Sequence, residues 1–112
     1  MRDENKVVEY FKKSSKWNIQ FEDEADLLAL TTEFLYMLPE TAFIRTATTV
    51  LGGTSDIIVC HKGDFVALEL KDNKGNTARL QDIFLEKIVA AGGRGAKCKT
   101  LEEVYEVLKM SR

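Results

Sequence analysis

DIIVCHKGDFVALELKDNKGNTARLQ, residues 56 to 81, holds two apolar runs hinged on a two-residue turn, and the second run ends in opposite charges at Glu69 and Lys71. Residues 56 to 61 and 64 to 71 read as strands joined at Lys62-Gly63 in a tight hairpin. With a period of two, Phe65, Ala67, Glu69 and Lys71 share one face, and Val66, Leu68 and Leu70 share the other. A strand built from core material thus sends both charges the same way, toward ground that Asp56, at the mouth of the preceding strand, can also reach.

Downstream, residues 72 to 76 form a loop, and Thr77 or Asn76 caps a helix through Ala91 with Leu80, Phe84, Ile88 and Ala91 along one side. Gly92-Gly93 closes it, a short strand follows near 94 to 98, and Thr100-Leu101-Glu102-Glu103 is a capping box. That box opens a last helix with Val104, Val107 and Leu108 inward.

Upstream, residues 43 to 48 are rich in β-branched and aromatic side chains and read as a strand before a Gly52-Gly53 turn. Residues 22 to 38 predict a helix: Leu27, Leu28, Thr31, Phe34, Leu35 and Leu38 recur at three- and four-residue steps, and Pro39 ends it. At about 100° per residue, Glu24 shares a meridian with Leu28, Thr31 and Leu35, while Glu33 lies opposite. Its place in the first turn equally suits the helix dipole. Residues 3 to 13 predict a first helix with an Asp3 cap and Val7, Val8 and Phe11 on one side. The order gives an α/β fold, a sheet sandwiched by helices.

The chain has 112 residues, enough for one domain with a single core, so one site is expected. With 45% hydrophobic and 30% charged residues and a single proline, the composition is that of a globular protein. No apolar run approaches the roughly 18 residues of a membrane span, and the start lacks the apolar core of a secretory signal. A cytoplasmic address without membrane attachment is expected. Cys60 and Cys98 lie in separate apolar segments and read as reduced and buried. The formal net charge of −2 makes the whole molecule no magnet for phosphate, so local patches carry the argument.

Taken alone, Glu69-Leu70-Lys71 reads as a salt bridge at a strand end, since a buried carboxylate is costly unless paired or bound to metal. Asp56 changes the weighting. The hairpin brings two carboxylates to neighbouring strand ends, where hard oxygen ligands suit Mg²⁺ or Mn²⁺. Lys71 then stands where a cation can activate water and steady charge on a phosphate. That is apparatus for phosphodiester hydrolysis. His61 ends a strand with no partner at ligand spacing and reads as exposed structure. GGRGAKCKT, residues 92 to 100, fails the phosphate-loop pattern and follows a helix rather than a strand.

These residues resemble the PD-(D/E)xK nuclease superfamily and, within it, the VRR-NUC domain. The resemblance runs from about Glu24 to the end of the chain. It rests on Gly53-Thr54-Ser55-Asp56, Glu69-Leu70-Lys71, the loop Lys74-Gly75-Asn76, Gln81, Ala91-Gly92-Gly93 and Thr100-Leu101-Glu102-Glu103. Where the family usually carries proline before the aspartate, this sequence has Ser55.

The resemblance implies a restriction-endonuclease-like mixed β-sheet core flanked by α-helices; residues 1 to 112 are read as one domain, in which residues 1 to 20 fall outside the resemblance and read as an added N-terminal helix for dimer or DNA contact. It implies a metal-dependent DNA endonuclease. Asp56 and Glu69 would be metal ligands with the Leu70 carbonyl and Glu24, Lys71 would be the catalytic lysine, and Gln81 would line the site. Lys74, Arg79 and Arg94 are candidates for DNA phosphates.

Small stand-alone members resemble Holliday-junction resolvases of phages and bacteria and act as dimers. The implied cofactor is therefore Mg²⁺ or Mn²⁺, and the implied partners are branched DNA, a second copy of the chain and a helicase or replication factor. A symmetric junction cut in two opposed strands suits a two-fold pair. The rival from another class is a non-catalytic nucleic-acid or protein-interaction module that keeps the fold. RNA cleavage is a second enzymatic reading, since the chemistry serves either backbone.

Overall fold

A computed structural model describes residues 3–46, 56–71 and 79–110, with side chains in the last segment described from residue 82 onward. The elements run α1 (Glu4–Lys13), α2 (Glu24–Met37), β1 (Thr41–Arg45), β2 (Ile57–His61), β3 (Asp64–Leu70), α3 (Arg79–Ala90), β4 (Arg94–Cys98) and α4 (Leu101–Lys109). Four strands form one sheet in the order β1-β2-β3-β4. The first three are antiparallel, and β4 lies parallel to β3 because α3 carries the chain back across the sheet. The sheet is mixed and flanked by helices, as expected.

The hairpin turn explains the register. Lys62 and Gly63 both take positive φ, 51° and 86°. That is the type I′ pattern, whose twist matches the flanking strands and which glycine tolerates without cost. It pairs His61 with Asp64 and, further along, Ile57 with Leu68.

The two sheet faces have different fates. On one, Ile57, Val59, Val66, Leu68, Leu70 and Cys98 are buried against α1, α2 and α4. Phe11, Trp17, Phe34 and Tyr105 meet edge to face there, with ring centroids 5.2–5.9 Å apart, a geometry that adds to their burial. The residues leading out of α1 tie on directly, since the Glu102 amide donates to the Trp17 carbonyl at 2.8 Å. Val7, Val8, Phe11 and Trp17 are buried, so the first twenty residues complete this core.

On the other face, α3 covers β3 and β4. A Cβ on Gly95 would stand 3.2 Å from Leu85 Cδ2, so glycine lets the helix approach the strand closely. Beyond the reach of α3, Ala42, Ile44, Cys60 and Phe65 are exposed.

Several boundaries and environments differ from the sequence reading. β1 starts at Thr41 rather than 43, because its pairing extends to Thr41 opposite His61. The expected stripe of α3 shifts to Leu85, with Phe84 and Ile88 half-buried and Ala91 exposed, since the helix meets the sheet along a narrow line. Cys60 is exposed on the uncovered face, while Cys98 is buried and its thiol is pushed up to about 12, chiefly by burial. His61 is buried rather than exposed: α1 closes over the hairpin, and its ring meets Thr41 Oγ1 at 2.8 Å and Glu4 Oε1 at 3.5 Å. The Gly52-Gly53 turn, the 72 to 76 loop and the Asn76 or Thr77 cap lie outside the described residues.

The cap of α4 takes the expected box in altered form. Thr100 Oγ1 accepts the Glu103 amide at 3.1 Å, but the Glu103 carboxylate reaches back to the Lys99 amide, at 2.6 Å, instead of that of Thr100.

Candidate active site at one end of the sheet

Asp56 is the residue before β2, and its backbone continues the ladder on both sides. Its amide donates to the Leu68 carbonyl at 2.9 Å, and its carbonyl accepts from the Thr46 amide at 3.0 Å. Extending the Ile57–Leu68 register by one residue sets Asp56 opposite Glu69, where cross-strand side chains on one face are neighbours. The Asp56 carboxylate is fixed further: Oδ2 accepts the Leu70 amide at 2.7 Å.

Glu69 is 2% exposed. Burial, then the negative charge of Asp56, pushes its carboxyl up to about 7, against the opposing pull of Lys71. Lys71 is 3% exposed, and its Nζ stands 3.4 Å from Glu69 Oε1, a long contact for a buried ion pair. Glu69 Oε2 is buried and meets no hydrogen-bond donor. An acid in this state binds either a proton or a cation. Two crowded carboxylates with an unpartnered buried oxygen fit a hard divalent ion.

The Lys71 amide donates to the Cys98 carbonyl at 2.8 Å, so β3 stays paired to β4 up to the catalytic candidate. The first turn of α2 closes the other side. Asp23, Glu24, Ala25, Leu28, Asp56 and Leu70 line a cleft of about 330 Å³. Glu24 is exposed at its rim. Among the described residues, no group of three or more His, Cys, Asp and Glu side chains could hold a metal ion together. What the structure brings together is the Asp56–Glu69 pair, whereas Glu24 stays at the rim of a cleft that Asp56 lines and is not grouped with both acids.

The remaining candidates separate. Arg79 and Gln81 belong to α3, with side chains outside the described set, and Lys74 lies outside the described residues. Arg94 is engaged within the fold. It is 7% exposed, its Nη2 pairs with Asp64 Oδ2 at 2.6 Å, and its Nη1 donates to the carbonyls of Val107, Leu108 and Met110. A guanidinium so placed caps the C-terminus of α4. It starts β4 level with Val66, about four strand residues or roughly 13 Å from the end of β3 that holds Glu69 and Leu70.

Sequence reasoning missed two charged residues beside the site. Lys97 is the register partner of Glu69 in β4, and its Nζ meets Asp82 Oδ1 of α3 at 2.5 Å. The alternation along 94 to 98 was readable, but which residue of a parallel strand lies beside Glu69 depends on a crossover of unknown register.

Fold and site together describe an α/β domain, a mixed sheet flanked by helices, with a charged cluster where its central hairpin opens. A solved structure named "VRR_NUC domain" matches with a TM-score of 0.65 and 14% identity, covering 80% of this chain and 97% of that one. At that identity the likeness is one of fold. No family model matches the chain, and no curated protein matches it. Among the described residues, no helix is long and apolar enough to cross a membrane.

Proposed function

We propose that this protein is a metal-dependent endonuclease that hydrolyses DNA phosphodiester bonds and acts on branched substrates such as four-way junctions. One observation carries the reading: the buried Glu69 carboxyl, crowded by Asp56, keeps an oxygen without a donor, and the next two residues present the Leu70 amide that anchors Asp56 and the ammonium of Lys71. A structural salt bridge has no use for the second acid, whereas a cation site does.

A bound Mg²⁺ or Mn²⁺ would supply Lewis acidity for attack by water on a phosphodiester. Asp56 and Glu69 would hold the ion, and Glu24 and the Leu70 carbonyl are proposed as further ligands. Lys71 stands beside the attacking water and steadies the negative charge that grows on the phosphate. Water gives up a proton as its oxygen bonds to phosphorus, the P–O bond to one deoxyribose breaks, and the leaving oxygen takes up a proton. Gln81, one turn into α3, is assigned to the wall of the site. Lys74 and Arg79 are assigned to the DNA backbone.

A two-fold dimer is proposed on substrate grounds, because opposed cuts in a symmetric junction need two sites. Sedimentation with and without junction DNA checks it, and a mass of one chain in both removes the junction-resolving version.

The central test incubates the protein and its Lys71→Ala variant with labelled four-way junction, flap, duplex and RNA, each in Mg²⁺, Mn²⁺ or EDTA. Cutting of DNA by the parent alone, only with metal and fastest on branched forms, is the expected result. Binding of junctions without cutting overturns catalysis and leaves a nucleic-acid-binding module. Cutting of RNA alone moves the substrate class.

A further inference from the structure

The sheet face that holds the two acids continues one strand further. Asp56 precedes β2, Glu69 lies in β3 and Lys97 lies in β4, side by side through the ladder. The alternation is unambiguous at β4. Ala96 and Cys98 face the core, whereas Gly95 faces Leu85 of α3, so Lys97 shares the face of Gly95 and of Glu69. Three neighbouring strands therefore present acid, acid and base in a row.

The two lysines of this region differ in kind. Lys71 is buried against Glu69, while the Lys97 side chain is 41% exposed and reaches α3, where Asp82, 38% exposed, holds its ammonium at 2.5 Å. The ion pair with Asp82 places the Lys97 ammonium beside α3, at a part-exposed position. A cation in that position is one strand spacing, about 4.8 Å, from the strand that carries the acids, and it is open to a ligand too large to enter the cleft.

We propose that Lys97 is a phosphate-binding residue of the substrate site, gripping a backbone phosphate of the nucleic acid next to the one that is cut, with Asp82 as the positioning residue that holds it ready. The inference rests on the nuclease reading of the Asp56–Glu69–Lys71 cluster and adds to it the direction in which the strand leaves: across β4 and along α3. Asp82 is a counter-ion that the substrate phosphate replaces. Its negative charge repels the strand until Lys97 exchanges partners, so neutralising Asp82 strengthens binding whereas neutralising Lys97 weakens it.

The test measures binding of a labelled duplex and a labelled four-way junction in Mg²⁺ over a series of salt concentrations, on the Lys71→Ala background so that the substrate persists. To that background are added Lys97→Gln, Lys97→Arg and Asp82→Asn, each checked by thermal melting. Lys97→Gln should weaken binding by about three- to tenfold and lower the slope of log affinity against log salt by about one, the signature of one lost phosphate contact. Lys97→Arg should restore both, and Asp82→Asn should tighten binding.

An unchanged slope in Lys97→Gln overturns the proposal. Equal weakening by Lys97→Gln and Asp82→Asn, with lowered melting points in both, also overturns it and leaves a structural ion pair. DNA bound by no version overturns it together with the nuclease reading. A Lys97-dependent slope in a protein whose Lys71-containing parent cuts nothing upholds the contact while the catalytic reading fails.

Discussion

The carboxylate of Asp56 accepts the backbone amide of Leu70 at 2.7 Å, so the residue between the Glu69 and Lys71 of the motif is the one that anchors the opposing acid. Asp56 cannot move without disturbing the strand that carries Glu69. The crowding that raises Glu69 is thereby built into the hairpin, and the site is pre-shaped before any cation arrives.

Replacing Asp56 separates its two roles. Asp56→Ala removes the acceptor of the Leu70 amide and should cost about 1–3 kcal/mol in urea unfolding. Asp56→Asn keeps a carbonyl oxygen at that amide and should cost much less, yet both variants should lose metal-dependent cleavage. Unfolding curves paired with nuclease assays check this. Equal destabilisation by both would mean that the charge, not the hydrogen bond, holds the strand end.

Glu69 gives the metal-free protein a pH dependence of defined sign. Its folded carboxyl titrates at about 7 against an ordinary 4.5, so the folded state favours the protonated form. The stability linked to it is present below about pH 4.5 and is lost as pH rises through 7. Glu69→Gln should therefore stabilise the metal-free protein at pH 8 by about 1–3 kcal/mol and hardly at all at pH 4. Mg²⁺ should raise the melting midpoint of the unmodified protein more at pH 8 than at pH 6, because at the lower pH it must displace a proton. Calorimetry at three pH values reads both effects.

Much of the fold was legible because local chemistry and global topology agree. The Lys62-Gly63 turn sets the hairpin register, and the period-two pattern of β3 then points Glu69 toward Asp56. Helix periodicity likewise located α2, where Thr31, Phe34 and Leu35 are buried as read, although Leu30 joins them and Leu28 is only half-buried. What could not be read depends on contacts between distant segments. Nothing in residues 1 to 20 shows that Trp17 will dock beside Tyr105, or that Glu4 will cover His61. Arg94 looked like any basic residue after a Gly-Gly turn. Only the return of α4 supplies the three carbonyls that it caps.

Arg94→Met should therefore act on stability rather than on chemistry. It breaks the ion pair with Asp64 and strips the C-terminus of α4 of a donor that is itself buried. Breaking one side of such a pair costs about 3–5 kcal/mol. Arg94→Lys should recover little, since an ammonium cannot reach an acid and several carbonyls in one plane as a guanidinium does. Cleavage per folded molecule, measured well below the melting point, should stay near that of the unmodified protein. A selective loss of DNA affinity without loss of stability would return Arg94 to the binding surface.

His61 predicts a second pH effect of opposite sign to that of Glu69. Burial lowers its pKa below 6.5 despite the nearby Glu4, with Lys62 and Arg94 adding to the depression and Asp64 opposing it. The folded state thus favours the neutral ring, and the linked stability is complete above pH 6.5 and lost as pH falls through the folded value. The neutral ring also meets Thr41 Oγ1 at 2.8 Å, which ties β1 to the hairpin that α1 covers. His61→Gln should cost stability at neutral pH through that contact but should flatten the decline over the interval below pH 6.5. Unfolding followed by Trp17 fluorescence reads the closure of α1 directly, because the indole lies in the core that α1 completes. An unmodified protein whose midpoint stays level across that interval would show that Glu4 compensates fully for the burial of the ring.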